Sequence, residues 1–117
     1  HCELMIKPLA EFRCIPCRGD TPALSFDEIE YLLPEVPEWQ LIEVEGIPRL
    51  ERVFLFKDFA EALKFSNRVG AIAEAEDHHP RIIIEWGRVA VEWWTYAING
   101  LHKNDFIMAA KIDMLEF

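Results

Sequence analysis

The sequence predicts an α+β fold, a four-stranded and largely antiparallel sheet with three helices on one face. Three observations carry this expectation. Capping signatures at Ser25–Glu28 and Asp58–Glu61 each open an apolar stripe of helical spacing. Two pairs of β-branched and aromatic runs are joined by short turns at Gly46 and Gly87, as hairpins are. The order helix, strand, strand, helix, strand, strand, helix then requires the helices to cover one sheet face to bury their stripes.

Residues 1–23 hold Pro8, Pro16, Gly19 and Pro22 without a sustained period and read as an irregular arm, leaving 24–117 as the folded domain. Behind the Ser25 cap, Phe26, Ile29, Leu32 and Leu33 form the stripe of a short helix that Pro34 and Pro37 stop. Trp39 to Glu45 alternates imperfectly as a half-buried strand, and Arg49 to Phe56 pairs with it across Gly46-Ile47-Pro48. The second helix runs from Asp58 to about residue 74 on Phe59, Ala62, Leu63, Ser66, Val69 and Ala73. Arg81 to Trp86 and Arg88 to Tyr96 are strands around Gly87, the second sending Glu92, Trp94 and Tyr96 to one face. Asp105 to Leu115 closes the chain as a helix. Its inner face is either Phe106, Ala109, Ala110 and Asp113, or Met108, Ile112 and Leu115.

Composition narrows the function. At 117 residues the chain suits one domain with a core of its own. Its 12 basic and 21 acidic residues leave a net charge of −9. That charge argues against direct binding to nucleic acid or to an anionic membrane surface. Without an apolar run of membrane-spanning length or a signal-like segment, a cytoplasmic location is expected.

The three cysteines, Cys2, Cys14 and Cys17, sit at one end and cannot cross-link the domain. Cys14 and Cys17 have CxxC spacing, yet they supply only two of the usual four zinc ligands, so no metal site is expected.

Titratable residues crowd together at Glu74-Ala75-Glu76-Asp77-His78-His79-Pro80, between a helix and a strand. Catalytic groups favour such loops on rigid supports. Carboxylates beside histidines select a tautomer and suit acid–base chemistry near neutral pH. The alternative is a polar turn whose histidines cap a helix C-terminus.

The stretch Glu74-x-x-x-His78-His79-Pro80, then Trp86, then Asp105 beyond Gly100-Leu101, resembles the pterin-4α-carbinolamine dehydratases. Flanking matches run through Phe65–Gly70, Val91–Thr95 and Asn104–Lys111. Cys14-x-x-Cys17 and Thr21–Leu24 are similar to bacterial members, so the resemblance spans about residues 14–115. It implies dehydration of a 4a-hydroxytetrahydropterin to the quinonoid dihydropterin, without metal or organic cofactor. It also implies that His78 belongs to the acid–base pair and that His79 holds the pterin and assists. Glu74 and Asp77 would orient the rings and meet the pterin, with Pro80, Trp86 and Asp105 at further substrate-binding positions.

One position departs. The family's third active-site histidine falls at residue 96, where this chain has Tyr96. A phenol, with an ordinary pKa of about 10, is a poor base near neutrality, although it still donates a hydrogen bond. Two readings follow. One is a dehydratase weakened by Tyr96. The other is a catalytically impaired relative serving as a binding or assembly factor, as family members do for a transcription factor or for Rubisco. The retained Glu74, Asp77, His78, His79 and Pro80 favour the first reading, and Tyr96 favours the second. Exposed edges are expected at Arg49–Phe56 and Arg81–Trp86, and with them a homodimer or homotetramer.

Overall fold

A computed structural model describes residues 8–16 and 18–115. Four strands, β1 (Gln40–Val44), β2 (Ile47–Leu55), β3 (Arg81–Glu85) and β4 (Arg88–Trp93), form an antiparallel sheet in the order β1-β2-β4-β3. The helices are α1 (Phe26–Leu32), α2 (Phe59–Glu76) and α3 (Lys103–Asp113). The expected α+β architecture is therefore present. The edge strands are β1 and β3, whereas β2 lies inside the sheet, so the edge expected along Arg49–Phe56 moves to β1.

Alternation decides the faces. Leu50 and Phe54 of β2 and Val89, Val91 and Trp93 of β4 point to the helices and are buried with Ala62, Phe65, Val69, Phe106 and Met108. Helix α1 adds Ile29 to this core, but Phe26 stays exposed. In α2, Phe65 takes the core position, while Phe59 and Leu63 are turned outward. Neither expected stripe of α3 is complete in itself. Phe106, Met108, Ala109 and Ile112 are all buried, because the sheet, α2 and the N-terminal arm surround the helix.

The ends of α2 explain where the histidines stand. At its start the Asp58 carboxylate accepts from the Glu61 amide at 2.9 Å. At its end Asp77 adopts a left-handed conformation, φ 53° and ψ 43°. The Asp77 amide bonds to the Glu74 carbonyl at 3.3 Å and the His78 amide to the Ala73 carbonyl at 3.1 Å. This is the two-bond Schellman closure, whose left-handed position glycine fills with the least strain. Asp77→Gly should therefore stabilise the fold by about 0.5–1 kcal/mol in urea titration. A stability loss would show that the carboxylate has a structural task outweighing this strain.

β4 ends at Trp93, three residues before the expected Tyr96. The Thr95 amide instead bonds to the Gly100 carbonyl at 2.8 Å, closing a loop whose residues Tyr96–Ile98 form one 3₁₀ turn. Gly100 is required there, since a Cβ would lie 2.9 Å from the Ala23 Cβ. The loop returns the chain to α3 beside the end of α2.

Candidate active site

A cleft of about 690 Å³ opens where the α2–β3 loop, the end of β4 and the N-terminal arm meet. Its lining includes Asp77, His78, His79, Pro80 and Arg81 from the loop and Trp94, Thr95, Tyr96 and Ala97 from the chain after β4. Ile15 and Pro16 complete it from the arm. The volume falls in the range usual for small-molecule sites.

His78 is the more firmly held of the two histidines. Its Nε2 lies 2.6 Å from Asp105 Oδ1, and its side chain is 11 % exposed against 0 % for Asp105. The other carboxylate oxygen of Asp105 accepts from the Thr95 hydroxyl at 2.8 Å and from the His102 amide at 3.0 Å. The His78 ring also stacks on buried Trp93, at 5.8 Å between centroids and 8° between planes. A carboxylate fixed by two donors, in contact with Nε2, favours the proton on that nitrogen and directs the lone pair to Nδ1.

His79 is held more loosely. Its Nε2 pairs with Glu74 Oε2 at 2.5 Å, with both side chains largely in solvent. Glu74 supports the site from behind His79 and does not line the cleft. Asp105 likewise stands behind His78 and is not a wall residue. Trp86 occupies the β3–β4 turn at the opposite end of β3 from Arg81 and is 72 % exposed, far along the sheet from the histidines. Tyr96 lines the cleft from the 3₁₀ turn rather than from β4, with Trp94 packed edge-on at 6.0 Å.

Other residues, to which the sequence had assigned no role, joined the site. Thr95 and Trp93 are ordinary strand residues until the fold sets them against Asp105 and His78. Arg81 and Trp94 belong to a polar group on the open sheet face. There Glu92 holds Arg49 at 2.7 Å and Arg81 at 3.3 Å, and Arg49 lies 3.8 Å over the Trp94 ring. Burial raises the Glu92 carboxyl, but its bonds to Arg49, Glu51 and Arg81 prevail and leave its pKa lowered.

His102 caps α3, its Nδ1 accepting from the Asn104 amide at 3.0 Å. Burial lowers its pKa, and so does the nearby His78, against the opposing pull of Asp105. The neutral ring that results is the form the cap requires.

Among the described residues no group of three or more His, Cys, Asp or Glu side chains could hold a metal ion. Cys2 and Cys17 lie outside the described residues. No described helix is long and apolar enough to cross a membrane.

The family model described as "Pterin 4 alpha carbinolamine dehydratase" matches residues 22–115. A protein of Gloeobacter violaceus, provisionally named pterin-4-alpha-carbinolamine dehydratase 1, is 55 % identical over 107 residues, 92 % of each chain. A provisionally named pterin-4-alpha-carbinolamine dehydratase of Chlorobium limicola is 54 % identical over 88 % of this chain and 91 % of its own. Among solved structures, a transcriptional coactivator/pterin dehydratase from Brucella melitensis superposes with a TM-score of 0.69 at 34 % identity, covering 78 % of this chain and 95 % of its own. A pterin dehydratase-like protein identified as a RuBisCO assembly factor in the alpha-carboxysome shares the fold, with a TM-score of 0.54 at 22 % identity over 65 % of this chain and 86 % of its own.

Proposed function

This chain belongs to the pterin 4 alpha carbinolamine dehydratase family, and on that premise we propose that it dehydrates a 4a-hydroxytetrahydropterin in the His78–His79 cleft. The observation that carries the reading is the buried Thr95–Asp105–His78 chain ending in the cleft. The His102 amide bond to Asp105 closes the α3 capping box, and the Thr95 hydroxyl and His78 ring are what extend that carboxylate toward the cleft.

The elimination removes one proton from a ring nitrogen and delivers one to the departing 4a-hydroxyl, which leaves as water. The new double bond between C4a and the ring nitrogen gives the quinonoid dihydropterin. His78 takes the ring proton on Nδ1, its Nε2–H remaining on Asp105. His79, oriented by Glu74, protonates the leaving hydroxyl. Asp77, free to turn its carboxylate into the cleft, accepts from the pterin's amino and ring N–H donors. Tyr96 offers a hydrogen bond where the sequence resemblance places a third histidine, and so supplies less acid–base power.

The reaction should be followed by absorbance with 4a-hydroxytetrahydropterin generated in situ. Wild-type protein should accelerate its disappearance above the spontaneous rate and saturate with substrate. A rate equal to the protein-free control would reject the reading. It would favour the second reading, a binding or assembly factor on the same fold, whose one supporting feature in this chain is Tyr96.

The reading includes a cytoplasmic homodimer or homotetramer. β1 and β3 leave unpaired edges, and the open sheet face carries Val53 and Leu55 exposed. Sedimentation at micromolar concentration should give a mass of at least twice 13.7 kDa, and a monomer would contradict the assembly.

A further inference from the structure

Two cleft residues, Ile15 and Pro16, precede the stretch that the family model matches, residues 22–115. The segment carrying them is anchored along its length. Leu9 is buried in the core, the Lys111 ammonium donates to the Ala10 carbonyl at 2.7 Å, and Lys103 lies 4.1 Å over the Phe12 ring. Closer to the cleft there are two double clamps. Glu76, at the end of α2, accepts from the Cys14 amide and from Arg13 Nε, both at 2.9 Å. Asn104, in the first turn of α3 and 2 % exposed, accepts from the Ile15 amide at 3.1 Å and donates to the Ile15 carbonyl at 2.6 Å.

The pairing of Asn104 with both backbone groups of Ile15 fixes that residue as a sheet neighbour would, without a strand. A buried amide that lost either bond would be left with an unsatisfied polar group, so the pairing holds Ile15 in one place. The result is an apolar edge delivered to an otherwise polar corner of the cleft, where Asp77, His78, His79 and Arg81 gather.

We propose that Ile15 and Pro16 form a substrate-contacting wall of the cleft, packing on the reduced pterin, and that Glu76 and Asn104 are positioning residues holding that wall. The inference rests on the pterin reading above and adds the arm to its binding site. The wall touches no reacting atom, so it acts equally on ground and transition states. Its loss raises KM and leaves kcat in place.

The test uses the full chain, wild type and the variants Ile15→Ala and Glu76→Ala. Affinity for 7,8-dihydrobiopterin, a stable dihydropterin, is read by tryptophan fluorescence, together with kcat, KM and amide exchange. Ile15→Ala should weaken binding about fivefold or more with kcat changed by less than about twofold. Glu76→Ala should weaken it similarly and also expose the Cys14 amide, protected in wild type, to rapid exchange. A structural role alone would move exchange and stability without moving affinity. Wild type that binds while both variants bind equally well overturns the wall and leaves the pterin reading standing. A wild type that does not bind the dihydropterin overturns the pterin reading, and the wall falls with it.

Discussion

His78→Ala should lower kcat by about 10²–10⁴-fold, with a much smaller change in pterin affinity. The size follows from the removal of a group that is oriented before substrate arrives. Asp105 is fully buried and has both oxygens occupied, so the imidazole pays little to reach its working geometry. Asp105→Asn separates orientation from bulk. Asparagine keeps the shape but no longer compels the proton onto Nε2, so kcat should fall by at least tenfold while the fold survives. His79→Ala should cost less than His78→Ala, because His79 is half in solvent and its partner Glu74 is exposed. Steady-state kinetics of the three variants decide the ranking. Equal losses at His78 and His79 would show that the buried carboxylate confers no advantage.

Tyr96→His should raise kcat by about tenfold or more. Residue 96 lines the same cleft as His78 and His79, on a turn secured by the Thr95–Gly100 bridge, so an imidazole placed there enters an existing frame. Tyr96 is 80 % exposed, so the exchange disturbs little beyond its edge contact with Trp94. The gain should be in kcat and should grow between pH 6 and 8, where an imidazole changes charge and a phenol does not. An unchanged kcat would mean that other wall residues, Trp94 and Ala97 among them, have also shaped this cleft for something other than turnover.

The strands were legible because β-branched runs and their glycine turns are local signals, and α2 because its start carries capping chemistry and its stripe keeps helical spacing; its left-handed end at Asp77 was not. The limits of that legibility were equally physical. Alternation carried β4 on to Tyr96, but the Thr95 amide is claimed by Gly100, a competition that no period in the sequence records. Phe59 and Leu63 fit the α2 stripe as well as Phe65 does, yet the sheet meets the helix on the Phe65 side. Of the site, His78, His79 and Asp77 were visible as a crowd of titratable groups in one loop. The pairing of His78 with Asp105 spans 27 residues, and the clamps on Cys14 and Ile15 span 62 and 89. Only the folded chain brings such groups together, so Thr95 and the arm, although inside the resemblance, carried no sign of the contacts they make. Trp86 illustrates the converse, a residue that shares the sequence stretch but lies at the far end of the sheet.

The central claim is that the His78–Asp105 pair faces a bound pterin. A crystal structure of the protein soaked with 7,8-dihydrobiopterin tests it most directly. The account predicts the bicycle in the cleft, with a ring nitrogen within hydrogen-bonding reach of His78 Nδ1 and with Nε2 still on Asp105. A pterin bound elsewhere, or bound in the cleft with His78 turned away from it, would contradict the account.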